Sequence, residues 1–364
     1  MMRFALGAWV MVCVFVGMGC GMHPSSSNSD VSPSVGASMM ASVMGEDAEA
    51  KLRPEEQFTT PEAGAGFTPI GRAERVQALV VSTSIGWENY RHQADALSAY
   101  HTLRSAGVHD DDIVLIGADD IAYHADNNRP GTVLNSSGDN VYAGATYDYG
   151  LSLDAQELSD IIVGDASDTL PTTLTTDAST NVVIYLVGHG NPDGLVVRGQ
   201  RQEDDRSLFS PDMLRESLCT LRRENRVRRV LVVVEACYAG VFGEPEQMGL
   251  EAGCDDGQPL DGVLLVSASE ADELSFAASY NRELDQWVSN DFSQIWQQQV
   301  TQQTTLLDTV RETWRRVLGS TVKVYNAPNY GDLSTLSAEE FLAPAAPTSS
   351  PERPSDTASL VTGV

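Results

Sequence analysis

Lysine is almost missing from this chain: Lys51 and Lys323 are the only two in 364 residues. Arginine does not make up the deficit, since 23 basic against 51 acidic side chains leave a formal net charge of −28. A surface so poor in cations cannot neutralise a phosphate backbone, which excludes nucleic acid as a partner. Acidity of this size otherwise marks a solvated, self-repelling surface. No His/Cys cluster has metal-site spacing, and no glycine-rich phosphate loop or haem motif is present, so neither a metal nor any other cofactor is expected. The apolar stretch Phe4–Met18 is also too short to span a bilayer, which takes about 20 residues.

What the ends do contain differs from the middle. Arg3, the apolar stretch and then Gly19-Cys20 follow the plan of an export signal over residues 1–20. Cys20 after a small residue resembles the lipid-accepting cysteine of a bacterial lipoprotein, although the aliphatic residue expected three positions earlier is Gly17. The expectation is an exported protein tethered to the cell envelope through a lipid on Cys20, or else secreted. Residues 21–67, rich in Ser, Ala and Met, and the Pro/Ser-rich residues 343–364 read as disordered tether and tail. One folded domain is left between them, over 68–342, and a 42% hydrophobic chain can supply its core. Of five cysteines, Cys219, Cys237 and Cys254 lie beyond the signal region, a set that suits one reactive thiol and leaves room for a disulfide between the other two.

Within the domain, β-branched runs alternate with segments of helical period. Strands are expected at Gln77–Thr83, Asp112–Ile116, Asn181–Val187, Arg228–Val234, Gly262–Ser267 and Val322–Tyr325. Helices are expected at Tyr90–Ala106, Leu153–Val163, Pro211–Arg223 after the cap Ser210, Asp291–Gln298 and Thr305–Leu318. This alternation predicts an α/β/α sandwich: a mostly parallel sheet of about six strands with helices on both faces.

Two of the buried strands end on chemistry. Gly188-His189-Gly190 follows one, and Glu235-Ala236-Cys237 follows the other. Both side chains would emerge at the carboxyl edge of the sheet, where open α/β folds place their sites. A thiol beside an imidazole there makes a nucleophile with its acid/base partner.

Seven blocks in order carry a family resemblance. They are Asn89-Tyr90-Arg91-His92-Gln93-Ala94-Asp95, Gly107-Val108 with Asp112-Ile113-Val114, Asp119-Asp120-Ile121-Ala122-Tyr123, Asp126-Asn127 with Pro130-Gly131, Val141-Tyr142, and the His189 and Cys237 motifs. Together they resemble legumain (asparaginyl endopeptidase) and the catalytic subunit of the GPI-anchor transamidase, cysteine peptidases of caspase-like fold; similarity after Gly240 is much weaker. The resemblance implies Cys237 as nucleophile, His189 as base and then acid, Asn89 as support for the histidine, and the N–H groups of Gly190 and Cys237 as oxyanion donors. It further implies a pocket for the residue before the cut formed by Arg91, His92, Glu235, Ser275 and, by a looser alignment, Asp291. One donor among acceptors suits the neutral amide of asparagine.

The expected function is therefore a cysteine endopeptidase cutting peptides or proteins after exposed Asn, and after Asp at acid pH. A transpeptidase that passes the same thioester to an amine is one alternative, and an inactive peptide-binding module is another. Leu274-Ser275 stands where legumain has two serines, and Gly188 where it has aspartate. Only about 40 residues follow Tyr325, too few for legumain's blocking pro-domain. Control would then rest on substrate supply, compartment, or cutting in loops such as Asn127-Asn128 or Gly243–Asp261, the latter reading equally as a passive surface loop.

Overall fold

The central strands are β-branched runs buried on both faces, the signature of parallel strands between helical layers. In the computed structural model, which describes residues 72–197, 207–302, 305–335 and 337–345, these are β1 (Arg75–Ser82), β2 (Ile113–Ile116), β3 (Thr180–Val187), β7 (Arg229–Glu235), β8 (Val263–Ser267) and β11 (Lys323–Tyr325). They form one sheet in the order β11-β8-β7-β3-β1-β2, parallel throughout except for antiparallel β11 at its edge. The expected α/β/α architecture is thus present. The signal segment with Cys20, the tether and all but the first residues of the tail lie outside the described residues.

Side chains alternate across the sheet with period two, so each strand feeds two cores. Val183, Tyr185 and Val187 of β3 join one core, with α1 (Tyr90–Ser105), α4 (Asp291–Gln302) and α5 (Leu306–Arg316). Val182, Ile184 and Leu186 join the other, with α2 (Ala155–Val163) and α3 (Pro211–Arg223). The helix starts are set by local chemistry: Ser210 Oγ accepts the Met213 N–H, with Pro211 in the first turn. Asp154 and Glu157 form a reciprocal capping box on α2. No described helix is long and apolar enough to cross a membrane.

Two small sheets depart from expectation. Short strands β4 (Gly190–Asn191), β5 (Gly194–Val196) and β6 (Leu208–Phe209) form one, and hairpin strands β9 (Ala277–Asn281) and β10 (Gln286–Asn290) form the other. Their sequences are short or polar and lack an alternating apolar pattern, so no periodicity marks them.

Cys219 and Cys254 form a disulfide that ties α3 to the acidic loop after Gly243. Closing a loop of 35 residues stabilises by roughly 4 kcal/mol through chain entropy. Arg215, nearly fully buried, donates to Gly253 O and to Asp255 in the same loop. Leu250 is fully buried there. The loop is therefore an anchored part of the fold. In the Asn127-Asn128 loop, Asn127 is 4% exposed and its Nδ2 donates to Ile121 O, Ala122 O and Thr132 O, whereas Asn128 is exposed.

Candidate active site

The register of the central strands brings the two motifs level. Val187 pairs with Glu235 across β3 and β7, and Gly188 N–H donates to Glu235 O at 3.1 Å. His189 and Cys237, each two residues further on, therefore leave the sheet side by side. Both are half-buried, and Cys237 is the one free thiol among the described residues.

The turn carrying them depends on close backbone approach. A Cβ on Gly190 would lie 2.2 Å from Cys237 O, so no larger residue fits without moving the nucleophile's backbone. A Cβ on Gly188 would lie 1.9 Å from Thr83 Oγ1, which accounts for glycine at that position. Val196 N–H donates to His189 O at 2.8 Å, which makes Gly190 and Leu195 a non-hydrogen-bonded pair and leaves the Gly190 N–H unspent on β5. Cys237 N–H has no backbone acceptor among the described residues. Two N–H groups beside the thiol are thus free to receive an oxyanion.

Asn89, at the turn into α1, orients the imidazole. Its Nδ2 donates to Ile85 O at 2.8 Å, so its Oδ1 is the acceptor for His189 Nε2, also at 2.8 Å. This network assigns the proton to Nε2 and leaves the Nδ1 lone pair free. Burial holds the imidazole below the usual histidine value, with Arg91 acting in the same direction and Glu88 opposing. Burial also pushes the Cys237 thiol up, Arg91 opposing. Its S–H donates to Ser275 O at 3.7 Å. Both shifts favour the neutral thiol and neutral imidazole over a resting ion pair.

The expected pocket residues separate into different places. Arg91 is half-buried; its Nε donates to Asn290 Oδ1 at 3.0 Å and its Nη1 to Glu88 O at 3.2 Å. Among the described residues its Nη2 has no acceptor, and it forms no ion pair with Glu235. Ser275 is half-buried beside the thiol, and its Oγ donates to Glu235 Oε1.

Two expectations are corrected. Glu235 is 1% exposed, and its other oxygen accepts from the Ser293 N–H and Oγ at 3.2 Å each. It lies buried behind half-buried Ser275. Burial pushes its carboxyl up to about 8, with nearby Asp95 adding to the effect. His92 is 2% exposed, stacks edge-on against the His189 ring at 4.9 Å, and shares a 2.7 Å hydrogen bond with Ser84 Oγ. Burial keeps it neutral, so it backs the catalytic histidine instead of meeting substrate. Asp291 is half-buried, and its Oδ2 accepts the N–H groups of Leu318 and Gly319 at 2.9 and 3.3 Å, anchoring that loop. Its neighbour Asn290 meets Arg91, and the only sequence signal for it is that adjacency.

This arrangement has relatives. Human legumain is 27% identical over 307 residues, covering 81% of this chain and 66% of that protein. The vacuolar-processing enzyme beta-isozyme of Arabidopsis thaliana is 29% identical over 236 residues, covering 63% and 45%. The GPI-anchor transamidase of Saccharomyces cerevisiae is 28% identical over 239 residues, covering 60% and 52%. The chain spans between about half and two thirds of the length of these relatives. Caspase-1 from Spodoptera frugiperda superposes with a TM-score of 0.41 at 11% identity, covering 71% of this chain and 89% of that one. Residues 77–341, which include His189, Cys237 and every pocket residue, match the Peptidase C13 family, and the chain belongs to that family.

Proposed function

We propose that the chain is a cysteine endopeptidase that cuts after asparagine through a thioester intermediate. The observation that carries this is the level placement of His189 and Cys237, with Asn89 leaving Nδ1 as the histidine's free base. His189 Nδ1 takes the thiol proton as Cys237 Sγ bonds to the scissile carbonyl carbon, and the oxyanion settles on the Gly190 and Cys237 N–H groups. The C–N bond then breaks as His189 returns the proton to the leaving amine. Water, deprotonated by His189, attacks the thioester and releases the new carboxyl terminus and the thiol.

Arg91 Nη2 is the donor for the substrate's side-chain oxygen. Ser275 supplies the complementary contact, and Glu235 sets its sense. An ionised Glu235 takes the Ser275 proton, leaving a lone pair for an amide NH₂; a protonated Glu235 can donate to Ser275 Oγ and free its hydrogen for a carboxylate. With the Glu235 carboxyl at about 8, aspartate is tolerated at acid and neutral pH and asparagine gains above it.

The likeness to a transamidase supports a second outcome, in which an amine replaces water on the same thioester. Export with lipid on Cys20 accompanies both readings, and the Cys219–Cys254 disulfide supports it, since such bonds persist in oxidising compartments.

A peptide panel varied at the residue before the cut, run at pH 5.5 and 8.5 with and without an amine, tests these readings. The Asn/Asp ratio of kcat/KM is expected to rise at least severalfold with pH. A ratio that stays flat, or no cleavage after Asn at either pH, would refute the pocket assignment.

A further inference from the structure

Arg91 has a carboxylate one helical turn away, yet no ion pair joins them. Asn290 stands between. Its Nδ2 and its backbone N–H both donate to Asp95 Oδ2, at 2.8 and 2.9 Å, while Ser289 Oγ donates to Asp95 Oδ1. Its Oδ1 then accepts Arg91 Nε at 3.0 Å. Asp95 and Asn290 are only 2% and 4% exposed. They come from elements far apart in sequence, α1 and the end of β10.

The polarity of this chain is fixed by two groups that can only donate. The Asn290 backbone N–H makes Asp95 Oδ2 an acceptor whether the carboxyl is ionised or carries its proton on Oδ1, and Arg91 Nε needs an oxygen, so the Asn290 amide must turn its NH₂ to Asp95 and its oxygen to Arg91. A neutral amide against Nε also differs from a direct carboxylate contact. It fixes the plane of the guanidinium through one edge while leaving the charge uncompensated and Nη2 without an acceptor among the described residues.

We propose that Asp95 and Asn290 are positioning residues for substrate selection: a buried carboxylate-to-amide relay that presents Arg91 to the side chain preceding the cut. The proposal rests on the reading of Arg91 as the pocket donor. A purely structural link between α1 and β10 would affect folding and overall activity without altering selectivity. The relay instead makes selectivity depend on the direction of the amide. Asp95→Leu, of similar size, removes the acceptor of both the Asn290 NH₂ and its backbone N–H, so the amide is no longer held from behind against Arg91 Nε. Asp95→Asn is the conservative control: its side-chain oxygen can replace Oδ2 as acceptor for both Asn290 donors while its NH₂ faces Ser289 Oγ, which can accept.

The test measures kcat and KM for matched peptides with Asn or Ala before the cut, thermal unfolding, and the rate at which iodoacetamide alkylates Cys237. Asn290→Ala and Asp95→Leu are expected to raise KM for the Asn peptide about tenfold or more, with kcat, alkylation and the Ala peptide nearly unchanged. Asp95→Asn is expected to keep much of the Asn/Ala ratio. Should Asn290→Ala fail to melt cooperatively, Ser289→Ala carries the test: it removes one donor from Asp95 and touches nothing on Arg91, and the expected loss of ratio is two- to threefold. Wild-type protein without Asn preference over Ala would refute the pocket reading itself. Wild-type preference retained in every folded variant would overturn the relay alone.

Discussion

On one side of Cys237 the chain sets Asn89 and His189, neutral groups joined by a single hydrogen bond and half open to solvent at the imidazole. On the other side it sets Glu235, Asp95 and Asn290, all buried and each making several hydrogen bonds, with half-buried Arg91 at their edge. The catalytic side needs mobility of a proton, and few bonds hold it. The pocket side needs a fixed pattern of donors and acceptors, and a dense network in a low dielectric supplies it. On the proposed function, chemistry and selection are separable in this site, which gives the comparison experimental content.

The largest expected effect lies on the catalytic side. Cys237→Ala removes the one free thiol among the described residues, and peptide cleavage is expected to fall by roughly 10⁴-fold or more, while the folded protein still binds an Asn peptide. Isothermal titration of the variant with an uncleaved peptide checks the second half. Loss of binding together with cleavage would show that the two sides are not separable.

Gly190→Ala comes next. Its Cβ would fall 2.2 Å from Cys237 O, so the turn must shift and carry an oxyanion donor with it. Losing such a donor costs about 10² to 10³ in kcat. The Asn/Asp ratio is expected to stay put, because Arg91, Ser275 and Glu235 are attached to other parts of the backbone. Steady-state rates for paired Asn and Asp peptides decide the matter, and a change in the ratio as large as the change in kcat would break the comparison.

The two sides also differ in how far the sequence discloses them. The catalytic side is legible because its residues sit where strong local patterns end: His189 after one buried run, Cys237 just after another, Asn89 at the start of a helix. The sheet and its major helices are legible for the same reason, down to Ser210 and Pro211 opening α3. The pocket side is not. Its members come from α1, from the end of β7, and from a polar hairpin that carries no periodic signal, and which face each residue takes depends on register. The family alignment is loose there and points to Asp291, the first residue of α4, while Arg91 meets Asn290 at the end of β10. Burial is equally invisible: nothing in the string Val-Glu-Ala-Cys shows that Glu235 lies under Ser275 instead of facing substrate.

The smallest effect tests whether the pocket side stores the cost of its buried carboxyls. Burial raises Asp95 from 3.8 to about 7 and Glu235 from 4.5 to about 8. In the unfolded chain both lose their protons near pH 4; in the folded chain both keep them until pH 7 to 8. Between these limits the folded state binds more protons, so stability falls as pH rises, is fully present below about pH 4, and levels off above about pH 8. Each tenfold change in proton affinity is worth about 1.4 kcal/mol, and the two groups share one environment, so a combined loss on the order of a few kcal/mol is expected. Net charge also grows more negative over this range and destabilises in the same direction, so the informative quantity is a difference between proteins. Glu235→Gln keeps an acceptor for the Ser293 N–H and a donor for Ser275 Oγ without a titrating proton. Thermal melting of wild type and variant from pH 4.5 to 9 is expected to give curves that diverge through pH 5 to 8, with the variant the flatter. Parallel curves would mean that Glu235 is ionised in the folded protein at neutral pH. Ser275 would then face substrate as an acceptor throughout, and asparagine selectivity would no longer depend on pH.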